Sequence, residues 1–245
     1  MMAKQQVKRF LRFLGWDLHR FDPVSATTSQ TIAAIRHVGA NLIFDIGANR
    51  GQFAKELRSG GFTGTIVSFE PLTDAHQQLE AASHSDTHWL IHPRVALGNE
   101  DGEILINIAG NSASSSVLPM LEAHSSAANG SAYVGEERVH ITCLDSLADQ
   151  YLPPDSKLFI KIDTQGYEWH VLDGAVETLK AACGVLLEIS LVPLYEGQQL
   201  WRDFIDRMES CGFTLWAIQK GFIDPRTGRS LQVDAIFLRE STLIS

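Results

Sequence analysis

With 245 residues, 44% of them hydrophobic, the chain is long enough for one α/β domain with a substantial core and terminal additions. Its net charge of −9 excludes a protein whose main partner is nucleic acid, because phosphate binding needs a basic face. Three widely separated cysteines, Cys143, Cys183 and Cys211, form neither a disulfide framework nor a Cys-based zinc motif and are read as reduced structural residues.

Residues 1–20 carry Lys4, Lys8, Arg9, Arg12 and Arg20 against Asp17 alone, so this segment holds +4 and the rest of the chain −13. Val7, Phe10, Leu11 and Leu14 fall at helical spacing, with Phe13 and Trp16 nearby, and predict a short basic amphipathic helix. Such a helix either lies on an anionic membrane surface or packs its apolar face on the domain. Arg12 interrupts the apolar stretch, no small-residue cleavage site follows, and no run approaches the ~20 residues of a membrane span. The expectation is a cytoplasmic protein with peripheral contact at the inner membrane surface through residues 1–20. Phe21 to Ser29 reads as a connection, and Ser29 as the cap of a helix from Gln30 to Val38. Residues 1–40 therefore separate as a basic helix and a connecting helix ahead of a main domain at 41–240.

That domain opens on an apolar strand, Leu42 to Ile46, which ends in Asp45-Ile46-Gly47-Ala48-Asn49-Arg50-Gly51 and passes into a helix carrying Phe53, Ala54 and Leu57. An acid followed by a tight turn with two glycines brings a ligand close to the backbone. The dinucleotide fingerprint would need Gly where Asn49 stands, and an acid immediately before the turn suits a cation better than a pyrophosphate. The loop reads as a site for S-adenosylmethionine, which carries an ammonium and a sulfonium but no phosphate. Gly60-Gly61 ends the helix, and a second strand, Thr65 to Phe69, delivers Glu70, an acid placed to meet ribose hydroxyls. A helix from Asp74 to Ala82 and a third strand from Trp89 to Leu97 complete a strand-helix repeat typical of a parallel sheet.

Residues 98–142 break the rhythm. Gly98 to Gly102 predicts a hairpin turn into a strand at 103–108. Asn111 to Ser116 and His124 to Ser131 are too polar for much core and read as an inserted surface loop or lid. Another strand at Arg138 to Thr142 precedes a short helix at Leu144 to Gln150. Strand Leu158 to Asp163, helix Tyr167 to Ala181, strand Val185 to Leu191 and helix Gln198 to Ser210 then resume the repeat. A hairpin of Phe213 to Gln219 and Leu231 to Leu238 closes it around Asp224-Pro225-Arg226-Thr227-Gly228.

Asp-Ile-Gly-Ala-Asn-Arg-Gly-Gln-Phe at 45–53, Phe-Glu-Pro at 69–71, Val-Ala-Leu-Gly at 95–98, Asn-Ser-Ala-Ser-Ser-Ser at 111–116 and Lys-Ile-Asp-Thr-Gln-Gly-Tyr-Glu at 161–168 occur in one order. In that order they resemble S-adenosylmethionine-dependent methyltransferases of the FkbM type. The resemblance spans most of residues 41–240 and implies a Rossmann-like class I α/β fold. Its mostly parallel seven-stranded sheet would carry helices on both faces and an antiparallel C-terminal hairpin. It further implies that Asp45, Gly47, Ala48, Asn49, Gly51 and Phe53 surround the methionine part of the cofactor and that Glu70 holds the ribose. Pro71 and Leu72 would flank the adenine, with Val95 and Ala96 near its amine.

Chemistry is expected at the switch point between strands one and four, where Asp163 is delivered. Asp163 is a candidate base, cofactor anchor, or both. Glu168 and His170 on the following helix, and Glu188 inside the apolar strand Val185 to Ile189, are the other catalytic candidates. A hard cation held by Asp163 and a second carboxylate such as Glu188 is the lesser alternative. No tight ligand cluster in the sequence enforces it, and no metal ligand is assigned. The implied acceptor is a small-molecule or glycan hydroxyl, with the basic N-terminus favouring a lipid-linked one. Thr164-Gln165-Gly166 after Asp163 departs from the Asn/Asp-Pro-Pro-aromatic motif of amino methylation. An NAD-dependent oxidoreductase and a non-catalytic cofactor-binding module are the alternatives from other classes.

Overall fold

A computed structural model describes residues 27–239 and, ahead of them, Val7, Arg9, Phe10, Leu11, Phe13 and Leu14. The other residues of the predicted N-terminal helix, and residues 21–26 of the connection, lie outside the described part.

Helix α1 (Thr27–Val38) precedes β1 (Leu42–Ile46), α2 (Gln52–Ser59), β2 (Thr65–Phe69), α3 (Thr73–Ser83) and β3 (Trp89–Ile91). After an insertion come β7 (Leu158–Ile162), α5 (Glu168–Asp173), α6 (Val176–Ala181), β8 (Ala182–Ser190), α7 (Trp201–Ser210), β9 (Phe213–Lys220) and β10 (Gln232–Arg239). These strands form one seven-stranded sheet in the order β3-β2-β1-β7-β8-β10-β9. The first five are mutually parallel, and β10 runs antiparallel to both of its neighbours.

Every residue of β1 and β7 is buried, as expected for central strands covered on both faces. Ile43, Ile66, Phe159 and Ile236 face Ile32 and Ile35 of α1 and Leu57 of α2. Phe44, Val67, Ile160 and Val185 face Val171, Leu179 and Phe204 on the opposite side. At roughly 1.5–3 kcal/mol per buried large side chain, these two layers supply the main drive for folding.

Local differences from expectation have identifiable causes. Helix α1 begins at Thr27, so Ser29 is inside it rather than its cap; Gln219 Nε2 donates to the Thr27 carbonyl at 2.9 Å and holds the first turn. The segment 89–97 is not one strand. The chain leaves the sheet at His92-Pro93, where proline has no N–H to donate, and β4 (Ala96–Leu97) joins a second sheet. That three-stranded sheet, β4-β6-β5, pairs β5 (Gly102–Ala109) antiparallel with β6 (Tyr133–Thr142). Between them Ser112–Ser114 forms a 3-10 turn and Glu122–Ser125 a short helix, α4.

The region read as a surface loop therefore contributes buried groups. Ser114, Ser116 and His124 are buried, and Ala127 packs with Leu194, Tyr195 and Leu231 in a small core of its own. The helix expected over 167–181 is two helices. Gly174 lies against the Gly98 carbonyl, where a Cβ would come within 1.8 Å of the oxygen. Asp145 then caps the second helix by accepting from Glu177 N at 2.9 Å and Thr178 N at 2.8 Å. The predicted helix at 144–150 is a pair of 3-10 turns, Leu144–Ser146 and Ala148–Tyr151.

Candidate active site

The chain passes from β1 outward to β3 and returns on the other side of β1 as β7, so the strand order reverses between β1 and β7. Helix α2 then packs on one face and α5 on the other, which opens a crevice between the loops after the two strands. A cavity of about 380 Å³ lies there. Gly47, Ala48 and Asn49 line it from the first loop and Phe53 from α2, Glu70, Pro71 and Leu72 from the second loop, and Ala96 from the start of β4 with Val95 just before it. Asp163, just after β7, and Glu188 of β8 line it, and Ser112, Ala113, Ser115, Ser116 and Val117 of the insertion add a further wall.

Asp45 and Gly51, expected to touch the ligand, stand behind this wall. Asp45 is fully buried, accepts from Ser68 Oγ at 3.3 Å and lies 3.3 Å from Lys161 Nζ. Burial raises its pKa from the ordinary value, with Lys161 pulling it down. Gly51, at φ 78°, leaves room for Trp89, whose ring carbon would sit 2.6 Å from an added Cβ. Gly47, at φ 71°, leaves room for the Asp163 carbonyl oxygen, only 1.8 Å from where a Cβ would be. Both glycines thus serve close packing between elements, and Gly47 also lines the cavity.

Lys161 is the largest omission from the sequence reading. Its ammonium is buried, 3.3 Å from Asp45 and 3.4 Å from Asp163, and donates to the carbonyls of Ile46 at 3.3 Å and Gly47 at 3.0 Å. Burial opposes its charge, but Asp163 and Asp45 outweigh this and raise its pKa. One ammonium therefore ties the first loop to the end of β7, and Asp45 reaches the cavity only through it.

Glu70 bridges the first two loops, accepting from Asn49 N at 2.8 Å and Leu72 N at 2.9 Å. Burial pushes its pKa up to about 7, against the pull of those two N–H groups and Lys161. Glu70 is thus neutral below that value and anionic above it. Affinity for the expected cationic cofactor should rise from about pH 6 to about pH 8 and then level off. Glu70→Gln should flatten this rise and weaken binding about tenfold or more at the upper end. Calorimetry across that range checks it; an unchanged slope in the variant would remove Glu70 from the cofactor site.

Of the catalytic candidates, two meet at the cavity and two do not. Asp163 accepts from Gln165 Nε2 at 2.8 Å, and Glu188 from the same nitrogen at 2.6 Å and from Gln232 Nε2 at 3.0 Å. Glu188 has its pKa raised by burial and then by Asp163, Asp234 and Glu168. Glu168 is buried off the wall, and its carboxylate accepts from Thr164 N at 2.8 Å and Gly166 N at 3.0 Å. It holds the loop after β7 in shape and stands behind the cavity wall, not on it. His170 stacks on Tyr167 with ring centroids 4.1 Å apart and is also off the wall. Burial lowers its pKa, and the base role expected of it has no access to the cavity.

Asp163, Glu168 and Glu188 each bring a carboxylate oxygen within 4.8 Å of the others, closer than the sequence alone suggested. The gap between Asp163 and Glu188 is spanned by Gln165 Nε2. Asp234, opposite Glu188 in the antiparallel register, also lines the cavity, and burial followed by Asp163 pushes its pKa up to about 7. An acid inside the apolar run 231–238 is the signal that would have found it.

The wall carries five carboxylates, Glu56, Glu70, Asp163, Glu188 and Asp234, against the single cation Lys161, and no Arg or His among the described residues. Beyond Glu70 it turns apolar, with Leu72, Ala75, Ala96, Ile106 and Val117. That donor set fits a cofactor with a positive end and a flat base, and it lacks the cations that a dinucleotide's pyrophosphate would favour.

Comparison with known proteins gives the same picture. A family described as "Methyltransferase FkbM domain" matches residues 45–215. No curated protein sequence matches significantly. A structure from Klebsiella pneumoniae, provisionally described as an O-methyltransferase, has a TM-score of 0.50 at 14% identity over 96% of this chain and 88% of that one. Magnesium protoporphyrin IX methyltransferase from Synechocystis PCC 6803, solved with bound SAM, has a TM-score of 0.48 at 8% identity over 96% of both chains. The sheet order and the first of these structures identify the Rossmann-like α/β fold.

Proposed function

The chain belongs to the FkbM family of methyltransferases, with S-adenosylmethionine as its cofactor, and from that premise we propose that it methylates a hydroxyl of a sugar, glycolipid or secondary metabolite bound beside Asp163. The observation that carries this reading is the placing of Asp163, part-exposed on the cavity wall at the end of β7, beside the cofactor loop and paired with a second carboxylate. When bound, the cofactor supplies an electrophilic methyl group on a sulfonium.

The residues of the chain do the rest. Gly47 to Asn49 and Phe53 surround the methionine part, Glu70 holds the ribose hydroxyls, and Leu72 with Ala96 flanks the base. Asp163 accepts the proton of the acceptor hydroxyl as its oxygen becomes nucleophilic. Lys161 stops Asp163 and Asp45 from repelling each other and fixes the carboxylate direction. The acid-rich wall favours an uncharged, hydroxyl-rich acceptor over a phosphate-bearing one. Transfer of labelled methyl from S-adenosylmethionine to a panel of glycosides, glycolipids and polyketides tests the reading; transfer only to amino groups of nucleic acid would overturn it.

A lipid-linked acceptor is supported by the N-terminal segment. No helix among the described residues is long and apolar enough to cross a membrane. Val7, Phe10, Phe13 and Leu14 are 54%, 63%, 86% and 54% exposed, so these side chains do not pack on the domain. With the +4 charge of residues 1–20 they suit an anionic bilayer surface. Deleting residues 1–20 should abolish sedimentation with vesicles containing about 30% phosphatidylglycerol, an attraction of roughly 1 kcal/mol per basic residue. Equal sedimentation with and without the segment would sink this part of the proposal.

A further inference from the structure

We propose that Gln165 is a positioning residue whose carboxamide clamps Asp163 and Glu188 into one coupled pair. For its role in methyl transfer the inference rests on the reading above; the geometry stands apart from it.

Gln165 occupies the turn between β7 and α5 with a left-handed backbone, φ 54°, a conformation that non-glycine residues rarely adopt. The turn is held on both sides. Glu168 accepts from Thr164 N and Gly166 N, and Ser116 Oγ donates to the Gln165 carbonyl at 2.6 Å. Held in this way, the side chain reaches into the cavity. Its Nε2 donates to Asp163 Oδ1 at 2.8 Å and to Glu188 Oε2 at 2.6 Å, and its Oε1 accepts from the buried hydroxyl of Tyr195 at 3.1 Å.

The carboxylates offer acceptor oxygens and the tyrosine a donor O–H, so the amide nitrogen with its two protons faces the carboxylates and the amide oxygen takes the tyrosine O–H. All three polar positions of the carboxamide are then used.

The surroundings explain why such a clamp matters. Glu188 faces Asp163 at the end of β7 (itself paired with the Lys161 ammonium), Asp234 from β10, Glu168 from α5 and the Tyr195 hydroxyl, a setting with four carboxylates and one ammonium. Like charges at this spacing make one member retain a proton. Two N–H donors shared between the carboxylates favour the ionised form of Glu188 and fix the direction of the Asp163 carboxylate toward the acceptor.

The test is a pH titration of side-chain carboxyls by ¹³C NMR on the full-length protein, with the Glu188 resonance assigned by its loss in Glu188→Gln. Gln165→Ala should raise the Glu188 midpoint by about one pH unit, and Tyr195→Phe should raise it less. Gln165→Asn, whose amide is one methylene too short to span both carboxylates, should match the alanine variant and decides the matter if alanine fails to fold. A midpoint unmoved in the folded Gln165 variants would overturn the proposal. Wild-type binding of S-adenosylmethionine, measured separately by calorimetry, reports on the methyltransferase reading, so the two failures are distinguishable.

Discussion

Replacing Asp163 with asparagine is expected to cut methyl transfer to a hydroxyl acceptor by about 100- to 10,000-fold, the usual contribution of a positioned general base. The fold should survive, because Lys161 keeps Asp45 at 3.3 Å and its carbonyl acceptors on Ile46 and Gly47, so no buried ammonium is stranded. Cofactor affinity should fall much less. Removing one anion near a sulfonium in a partly hydrated site costs on the order of 1 kcal/mol, less than about tenfold in binding. Comparing single-turnover rates with calorimetric affinities separates the roles. If turnover and affinity fall by the same factor, Asp163 anchors the cofactor and takes no proton.

Gly47→Ala is the second large effect, and it acts on stability and site together. The new Cβ would sit 1.8 Å from the Asp163 carbonyl oxygen, and the residue must also hold φ 71°. Overpacking against backbone and the left-handed conformation together destabilise by roughly 2–4 kcal/mol. For a domain of this size that lowers the melting temperature by about 5–15 °C. The collision pushes apart the very loops that carry Asn49 and Asp163, so cofactor binding should be lost even in the folded fraction. Gly135→Ala, on β6 with nothing within 4 Å of the added Cβ, is the control and should melt within about 2 °C of wild type.

Much of this site is written in local sequence. The run Leu42-Ile43-Phe44-Asp45 followed by Gly47, and Glu70 after Ile66-Val67-Ser68-Phe69, mark strand ends that a parallel sheet brings side by side, and the structure places Gly47, Asn49 and Glu70 on one cavity. Legibility fails where the partner is distant. Asp45 reads as a ligand contact because it stands immediately before the Gly-containing turn, while its counter-ion comes from a strand over 100 residues later. Yet the two strands share a pattern, Leu-Ile-Phe-Asp and Leu-Phe-Ile-Lys, and pairing them in register puts Asp45 opposite Lys161. An acid at a helix start such as Glu168 can orient an acceptor or complement the helix dipole, and only the turn geometry shows its carboxylate accepting from Thr164 and Gly166. The polar stretches at 111–116 and 124–131 read as a surface loop or lid because burial there rests on hydrogen bonds. Ser116 donates to the Gln165 carbonyl and His124 pairs with Ser114 Oγ at 3.1 Å, contacts that hydrophobicity does not register. The same limit hid Gln165 and Tyr195.

The most direct test of the central claim is calorimetric titration of wild type and Gly47→Ala with S-adenosylmethionine, with NAD titrated in parallel. Saturable binding of S-adenosylmethionine to wild type, none to Gly47→Ala and none of NAD to either protein is the predicted result. Binding of NAD in its place, or of neither ligand to wild type, would contradict the assignment of this cavity to a methyl donor.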